Sequence, residues 1–371
     1  MHALQLIRAF KAEGHDVRSI GDPSLPDVPT YPDTSEGYAE AEAWADVIYV
    51  RVDARPMSTW PNLVRALSKT STPVVWEINS PANENLAYSW LGGREQPQNP
   101  LLRRFDWMRR YLHALRQAPA IRREEQLRRA LSKNVYACVC VSSGIANYAV
   151  EELGISRAFT IPNGADHHFF TPDGPALEIP RIPSIKLRVL YAGSPIYPWQ
   201  GLGMLRATMK LCEQNGDPIE FVLLMNQESE IDLAGDNVKV FTRVPHVEVP
   251  QLMRTADVGV SIQPDFTWSR WGFHGSPMKL FDYMACGLPV VTSSVGQLAE
   301  VVSDGHNGAT FDNTPEGLRE VLLRLSGNPQ HLALMGEQAR RDVEMQYNWD
   351  VIGRRTLGIL SDACGQTVTQ A

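Results

Sequence analysis

Leu4, Ile7, Phe10 and Ala12 share one helical stripe, with Arg8, Lys11 and Glu13 outside it, and this spacing predicts an amphipathic helix over the first dozen or so residues. Gly14 follows as its C-terminal cap, and His15–Ile20 reads as a strand. The next apolar runs are continuous rather than alternating: Val47–Val50, Pro73–Glu77, Ala137–Val141 and Phe159–Pro162. Continuous runs are the mark of strands buried on both faces of a parallel sheet. Helical stretches separate them, the longest from Leu101 to Ser132 with a break expected at Pro119. Pro172, Gly174, Pro175, Pro180 and Pro183 then crowd into a linker. A second series begins beyond it, at Leu187–Tyr191, Glu220–Leu224, Val238–Phe241, Val258–Ile262 and Pro289–Thr292. The pattern predicts an α/β protein of two doubly wound parallel-sheet domains. The expected divisions are an N-terminal domain over 1–175, a C-terminal domain over 176–345, and a last helix over 346–371 that packs back on the first domain and frays beyond Asp362. A parallel domain normally opens on a strand and turn. The first helix here has neither ahead of it, so the expectation is a first domain short of its opening strand.

Composition narrows the class. The 371 residues are 43% apolar and 21% charged, with 42 acidic side chains against 35 basic ones and a net charge of −7. That balance suits an ordinary globular chain and argues against a nucleic-acid partner. The five cysteines are scattered, and three lie in apolar runs, as buried thiols of a reducing compartment do. Cys138 and Cys140 share one strand face, but no second cysteine pair stands at zinc spacing. No apolar run reaches the roughly 18 residues of a membrane span, and the first residues read as a helix rather than a leader, so a cytoplasmic setting is expected.

The most informative stretch runs from His274 through Gly275, Ser276, Pro277, Met278 and Lys279 to Asp282, then Ala285-Cys286-Gly287-Leu288-Pro289. Ser276 reads as a helix N-cap, Pro277 as the first helical residue and Gly287 as the stop. A helix N-terminus beside glycine favours anions, and Lys279 adds positive charge. Asp282, six residues after Ser276, can accept hydrogen bonds from a vicinal diol such as a ribose. The residues alone leave an ordinary capped helix with a solvated Lys and Asp open.

This stretch resembles the donor-binding motif of glycosyltransferase family 4, retaining enzymes of the two-domain GT-B fold. The resemblance extends to Ile161-Pro162-Asn163-Gly164-Ala165-Asp166, to Tyr191-Ala192-Gly193-Ser194 with Trp199-Gln200-Gly201-Leu202, to Val244-Pro245-His246 and to Glu13-Gly14-His15-Asp16-Val17, so it covers nearly the whole chain. It implies donor contacts from Gly193, Ser194, Gln200, Gly201, His246, Arg270, Gly275, Ser276, Met278, Lys279 and Asp282, with His274 and Lys279 nearest the chemistry. His274 and Asp282 stand where the family has two glutamates with seven residues between them, and Ser194 and Gln200 where it has an Arg and a Lys on the diphosphate. Lys279 or Arg270 would have to replace those charges. The family's glycine-rich loop, which borders the donor phosphates, belongs to the opening segment expected to be lacking.

Polar residues at strand ends of the first domain, Arg51, Glu77 and Asn79 with Glu84 beyond, are acceptor-side candidates. A strand-end turn is the alternative. No Asp-x-Asp occurs, and His167-His168 reads as a solvated hinge, since neighbouring side chains generally diverge. Residues 103–133 carry a local charge of +7 among interleaved aromatic and aliphatic side chains. That suits the inner face of a membrane or a lipid-linked acceptor, and a solvated helix face is the alternative. The resemblance implies metal-independent, retaining transfer of a sugar from a nucleotide diphosphate sugar to a hydroxyl of a glycan, lipid-linked or small-molecule acceptor, in cell-surface polysaccharide or glycoconjugate synthesis. A non-catalytic GT-B protein and a nucleotide-sugar epimerase of similar fold are the alternatives.

Overall fold

A computed structural model of the chain describes residues 2–22, 24–86, 100–228 and 233–365, and their side chains except those at 100, 102, 103 and 198. The first domain contains α1 (His2–Ala12), β1 (Ser19–Ile20), β2 (Thr30–Tyr31), α2 (Ser35–Trp44), β3 (Ile48–Val52), α3 (Pro61–Leu67), β4 (Val74–Ile78), α4 (Pro100–Ser132), β5 (Val135–Cys140), α5 (Ser143–Glu151) and β6 (Ala158–Thr160). Strands β3-β4-β5-β6 form one parallel sheet in that order, and β1-β2 form a separate parallel pair. The strand predicted over 15–20 is paired only at Ser19–Ile20, and β2 has no apolar run to announce it.

Between β1 and β3 lies a cavity of about 750 Å³, bordered by Leu6, Ile20, Val50, Val52, Leu67 and Leu360. Among the described residues β3 pairs only with β4, and β1 only with β2. The cavity therefore lies between two sheet pieces that do not pair with each other among the described residues. α1 closes one side of it, with Leu6 and Phe10 buried.

One detail of this domain differs from the sequence reading. α4 continues through Pro119 without a break. Pro119 is exposed, so the carbonyl that loses its helical donor can turn to water. The Cys138 and Cys140 thiols, 3.5 Å apart, are wholly buried. At the far end of α4, buried Arg128 donates to Glu124 (3.0 Å), to the Ser80 carbonyl (3.0 Å) and to the Asp53 carbonyl (2.7 Å), while Glu124 accepts from the Met57 amide at 2.8 Å. That pair satisfies orphan backbone groups and fixes the carboxyl ends of β3 and β4.

The second domain contains β7 (Leu187–Gly193), α6 (Leu202–Gln214), β8 (Ile219–Met225), β9 (Val238–Thr242), α7 (Val249–Met253), β10 (Val258–Ser261), α8 (Met278–Ala285), β11 (Val290–Ser293), α9 (Gly296–Val301), β12 (Gly308–Phe311), α10 (Pro315–Ser326) and α11 (Pro329–Gln346). Its six parallel strands run in the order β12-β11-β10-β7-β8-β9. The order reverses between β7 and β10, and in open α/β sheets such a switch point opens a crevice at the carboxyl ends of the strands. The last helix, α12 (Trp349–Ala363), packs on the first domain. A Cβ at Gly353 would lie 2.4 Å from that of Ala9, so glycine there permits the close crossing of α1 and α12.

Candidate functional site

The switch point brings the loop after β7 against the start of α8. Tyr191 Oη donates to the Gln200 carbonyl at 2.8 Å, and Tyr283 Oη accepts from the Ala192 amide at 2.6 Å, so two buried phenols hold the loop from below. Gln200 Oε1 accepts from Lys279 Nζ at 3.0 Å and from the Ser194 amide at 3.4 Å. A Cβ at Gly193 would sit 2.5 Å from Tyr191 Oη and 2.7 Å from Gln200 Oε1. At Gly201 the backbone is left-handed (φ +67°), and a Cβ would meet the Ile262 side chain at 2.3 Å. Glycine is required at both positions.

Lys279 lies with its ammonium 4.4 Å over the Tyr191 ring. Among the described contacts no carboxylate pairs with it, and burial lowers its pKa from the ordinary 10.5 to about 7. One turn on, at the i+3 position, Asp282 is pushed well above the usual carboxylate range, first by burial and then by the charge of Asp166. A cation short of an anion and a carboxyl on the same helix face form the centre of this site.

The approach to α8 differs from the sequence reading. Pro277, not Ser276, is the residue flanking the helix, and it makes no side-chain cap. Ser276 is engaged with the hinge instead: its hydroxyl accepts from the Asn163 amide at 2.9 Å, and its carbonyl from Asn163 Nδ2 at 2.6 Å. Met278 packs against the apolar cluster of the first domain, and Gly275 lies under the Phe273 ring. His274 is fully buried beside Phe266 and Trp268, with ring centroids 5.4 and 6.0 Å away. Its Nδ1 lies 3.1 Å from the Gly272 carbonyl, and its Nε2 is buried without a hydrogen bond, 3.9 Å from Glu84 Oε1. With Nδ1 as the donor, Nε2 is left as an acceptor. The His274 carbonyl in turn accepts from Ser142 Oγ of the first domain at 2.8 Å.

On the first domain, Glu77 ends β4 as a buried carboxylate. It accepts from Tyr49 Oη at 2.9 Å and from Asn79 Nδ2 at 2.6 Å, with His2 Nε2 and Arg51 Nε each 3.5 Å from Oε1. Arg51, Glu77 and Asn79 are thus one cluster, and Glu84 faces His274 from a separate turn.

Two expected donor residues have other partners. Arg270 pairs with Glu151 and Glu152 of the first domain, so its charge is already met there. His246 is exposed and stacks on Phe169 at the hinge, 4.7 Å away and nearly coplanar. The sequence reading missed the supporting phenols Tyr191 and Tyr283 and the hinge residue Asn163. Nothing in their spacing shows that the phenols turn toward the loop or that Asn163 turns toward Ser276. The same reading has His167 and His168 diverge; the structure instead sets their rings 4.0 Å apart, because the chain turns sharply at 166–170 and swings both to one side.

Residues 186–328 match the family described as glycosyl transferases group 1. Among curated proteins, an uncharacterized glycosyltransferase of Methanocaldococcus jannaschii is 28% identical over 60% of this chain and 60% of its own length. The amylovoran biosynthesis glycosyltransferase AmsK of Erwinia amylovora is 27% identical over 43% and 41%. These alignments thus span less than two thirds of either relative. Among solved structures, sucrose-phosphate synthase from Thermosynechococcus elongatus superposes with a TM-score of 0.66 at 16% identity, over 96% of this chain and 91% of that one. Anabaena Alr3699/HepE in complex with UDP-glucose superposes with a TM-score of 0.63 at 15% identity, over 98% and 96%. The chain has the GT-B fold of two Rossmann-like domains, and the match to group 1 glycosyl transferases lies within its second domain.

Proposed function

We propose that the protein is a retaining hexosyltransferase of glycosyltransferase family 4, which takes a sugar from a nucleotide diphosphate donor to an acceptor hydroxyl in glycan or glycoconjugate synthesis. The observation that carries this reading is Lys279, a half-buried amine in the first turn of α8 at the switch point with only the neutral Gln200 side chain and the Tyr191 ring as described partners. A diphosphate in that crevice would supply the missing counter-charge, and charge growing on the leaving group would be met by Lys279. Asp282 would take the ribose hydroxyls, and His274 Nε2 a hydroxyl of the donor sugar. UDP-glucose in Anabaena HepE and amylovoran synthesis by AmsK support the donor class and the pathway class.

The acceptor would approach from the Glu77 cluster. The exposed row Leu101, Phe105, Met108, Leu112 and Leu115 on α4, bordered by Arg104, Arg109 and Arg116, would dock the protein on an anionic membrane. No helix among the described residues is long and apolar enough to cross one. The cavity between β1 and β3 supports a further reading, that the first sheet accepts one more parallel strand there. The test of function is to incubate the full chain with UDP- and GDP-hexoses and candidate acceptors and to follow the anomeric proton by NMR. The expected product keeps the donor's anomeric configuration; donors left intact, or an inverted product, would refute the reading.

A further inference from the structure

The two chain crossings that join the domains lie side by side. The Ala165 amide donates to the Tyr347 carbonyl at 2.8 Å, and the Trp349 amide donates back to the Ala165 carbonyl at 3.2 Å. Two and three residues beyond Ala165 on one crossing come His167 and His168, and directly after Trp349 on the other comes Asp350, in the first turn of α12. One ligand atom from each of the three lies within 4.8 Å of those of the other two.

The backbone that carries them is fixed. The Asp166 carboxylate accepts from the Phe169 amide at 3.1 Å, and its carbonyl accepts from the Phe170 amide at 2.8 Å. Arg340 donates to the His167 carbonyl at 3.1 Å and to the Phe170 carbonyl at 2.9 Å, and its own charge is met by Glu344 at 2.7 Å. His168 and Asp350 are exposed and His167 is half-buried, so an ion can enter from solvent.

We propose that His167, His168 and Asp350 form a site for a divalent transition metal, with Zn²⁺ as its reference ion, that staples the two hinge crossings together. Two imidazoles and one carboxylate are a three-ligand zinc set that leaves a position for water. Bonds of about 2.0–2.1 Å imply ligand atoms roughly 3.4 Å apart around a tetrahedral ion, so a closure of at most about 1.4 Å, within side-chain rotation, completes the site. The site lies on the hinge, outside the donor crevice, and does not depend on the proposed reaction. The competing explanation is structural: an aspartate in a first helical turn offsets the helix dipole without any ion.

The test is calorimetric titration of the untagged full chain with ZnCl₂ in a non-chelating buffer, beside a His167→Ala/His168→Ala variant, Asp350→Asn, and a His15→Ala/His331→Ala control on exposed histidines elsewhere. One Zn²⁺ should bind per chain. The paired hinge substitution should weaken binding at least tenfold and Asp350→Asn several-fold, and the control should match the parent. Co²⁺ should give the visible absorption of a low-symmetry site in the parent and lose it in the hinge variant. Metal-free melting temperatures within a degree or so of each other separate ligand loss from misfolding. No one-to-one binding, or equal affinity in the hinge variants, overturns the proposal.

Discussion

Lys279 reaches across the switch point of the second domain to Gln200, Nζ to Oε1 at 3.0 Å, so that a half-buried amine leans on a neutral amide. Because burial lowers its pKa to about 7, against 10.5 in an unfolded chain, Lys279 binds fewer protons folded than unfolded. Its charged form therefore destabilises the free protein fully below pH 7, and the penalty fades as pH rises to 10.5. Lys279→Met should raise the melting temperature most at pH 6–7 and least near pH 10. A gain that does not depend on pH would show that the amine is already solvated or paired.

A diphosphate beside Lys279 should raise its pKa again, so donor binding above pH 7 should take up a proton. Calorimetry at pH 8 in two buffers of different ionisation enthalpy should give different apparent heats, and affinity should fall by up to tenfold per pH unit between pH 7 and the raised pKa. Identical heats in both buffers would place the phosphates elsewhere.

Asp282→Ala should weaken nucleoside and nucleoside diphosphate binding alike, by about 1–3 kcal/mol, the scale for losing hydrogen bonds to an acidic side chain. Asp282→Asn should retain most of the affinity. A loss confined to the diphosphate would assign Asp282 to the phosphates instead of the ribose.

Gly193 and Gly203 make an internal contrast. A methyl at Gly193 meets Tyr191 Oη and Gln200 Oε1, whereas one at Gly203 meets nothing within 4 Å. Gly193→Ala should cost about 1–3 kcal/mol by overpacking and disturb donor binding. Gly203→Ala, near the start of α6, should be neutral or stabilise by up to about 1 kcal/mol. Thermal melts of the two variants check this directly.

The cavity between β1 and β3 should accept a strand. Joining a short Val/Ile-rich segment and a Gly-Ser turn ahead of His2 should raise the melting temperature and slow hydrogen exchange in β3. The same segment with prolines at alternate positions cannot donate to the ladder and should do neither. Equal behaviour of the two variants would show that the cavity takes no strand.

Much of this architecture was legible because buried parallel strands are written as continuous apolar runs: Val74–Ile78 and Ile219–Met225 are buried throughout. β12 escaped notice because Gly308-Ala309-Thr310-Phe311 is short and half small residues, and its strand character comes from pairing with β11. The residues that the structure brings together at the switch point, Gly193, Gln200, Gly201, Lys279 and Asp282, stand out in the sequence where local motif and chemistry coincide. The arrangement was illegible where position depends on the other domain. Ser276 looks like a helix cap until Asn163 arrives from the hinge, and Arg270 looks like a phosphate ligand until α5 presents Glu151 and Glu152. His167 and His168 converge only because the turn at 166–170 is pinned to residues 347–349, a relation across about 180 positions that no local spacing records.

The central claim is that the crevice at Lys279 is a nucleoside diphosphate site, and the most direct measurement compares equilibrium binding of a nucleoside with that of its diphosphate to the parent chain and to Lys279→Met. UDP and GDP, each against its nucleoside, are the ligands compared. The account predicts that the parent prefers the diphosphate at least tenfold and that Lys279→Met largely loses this preference while still binding the nucleoside. No preference in the parent, or the same preference in the variant, would contradict it.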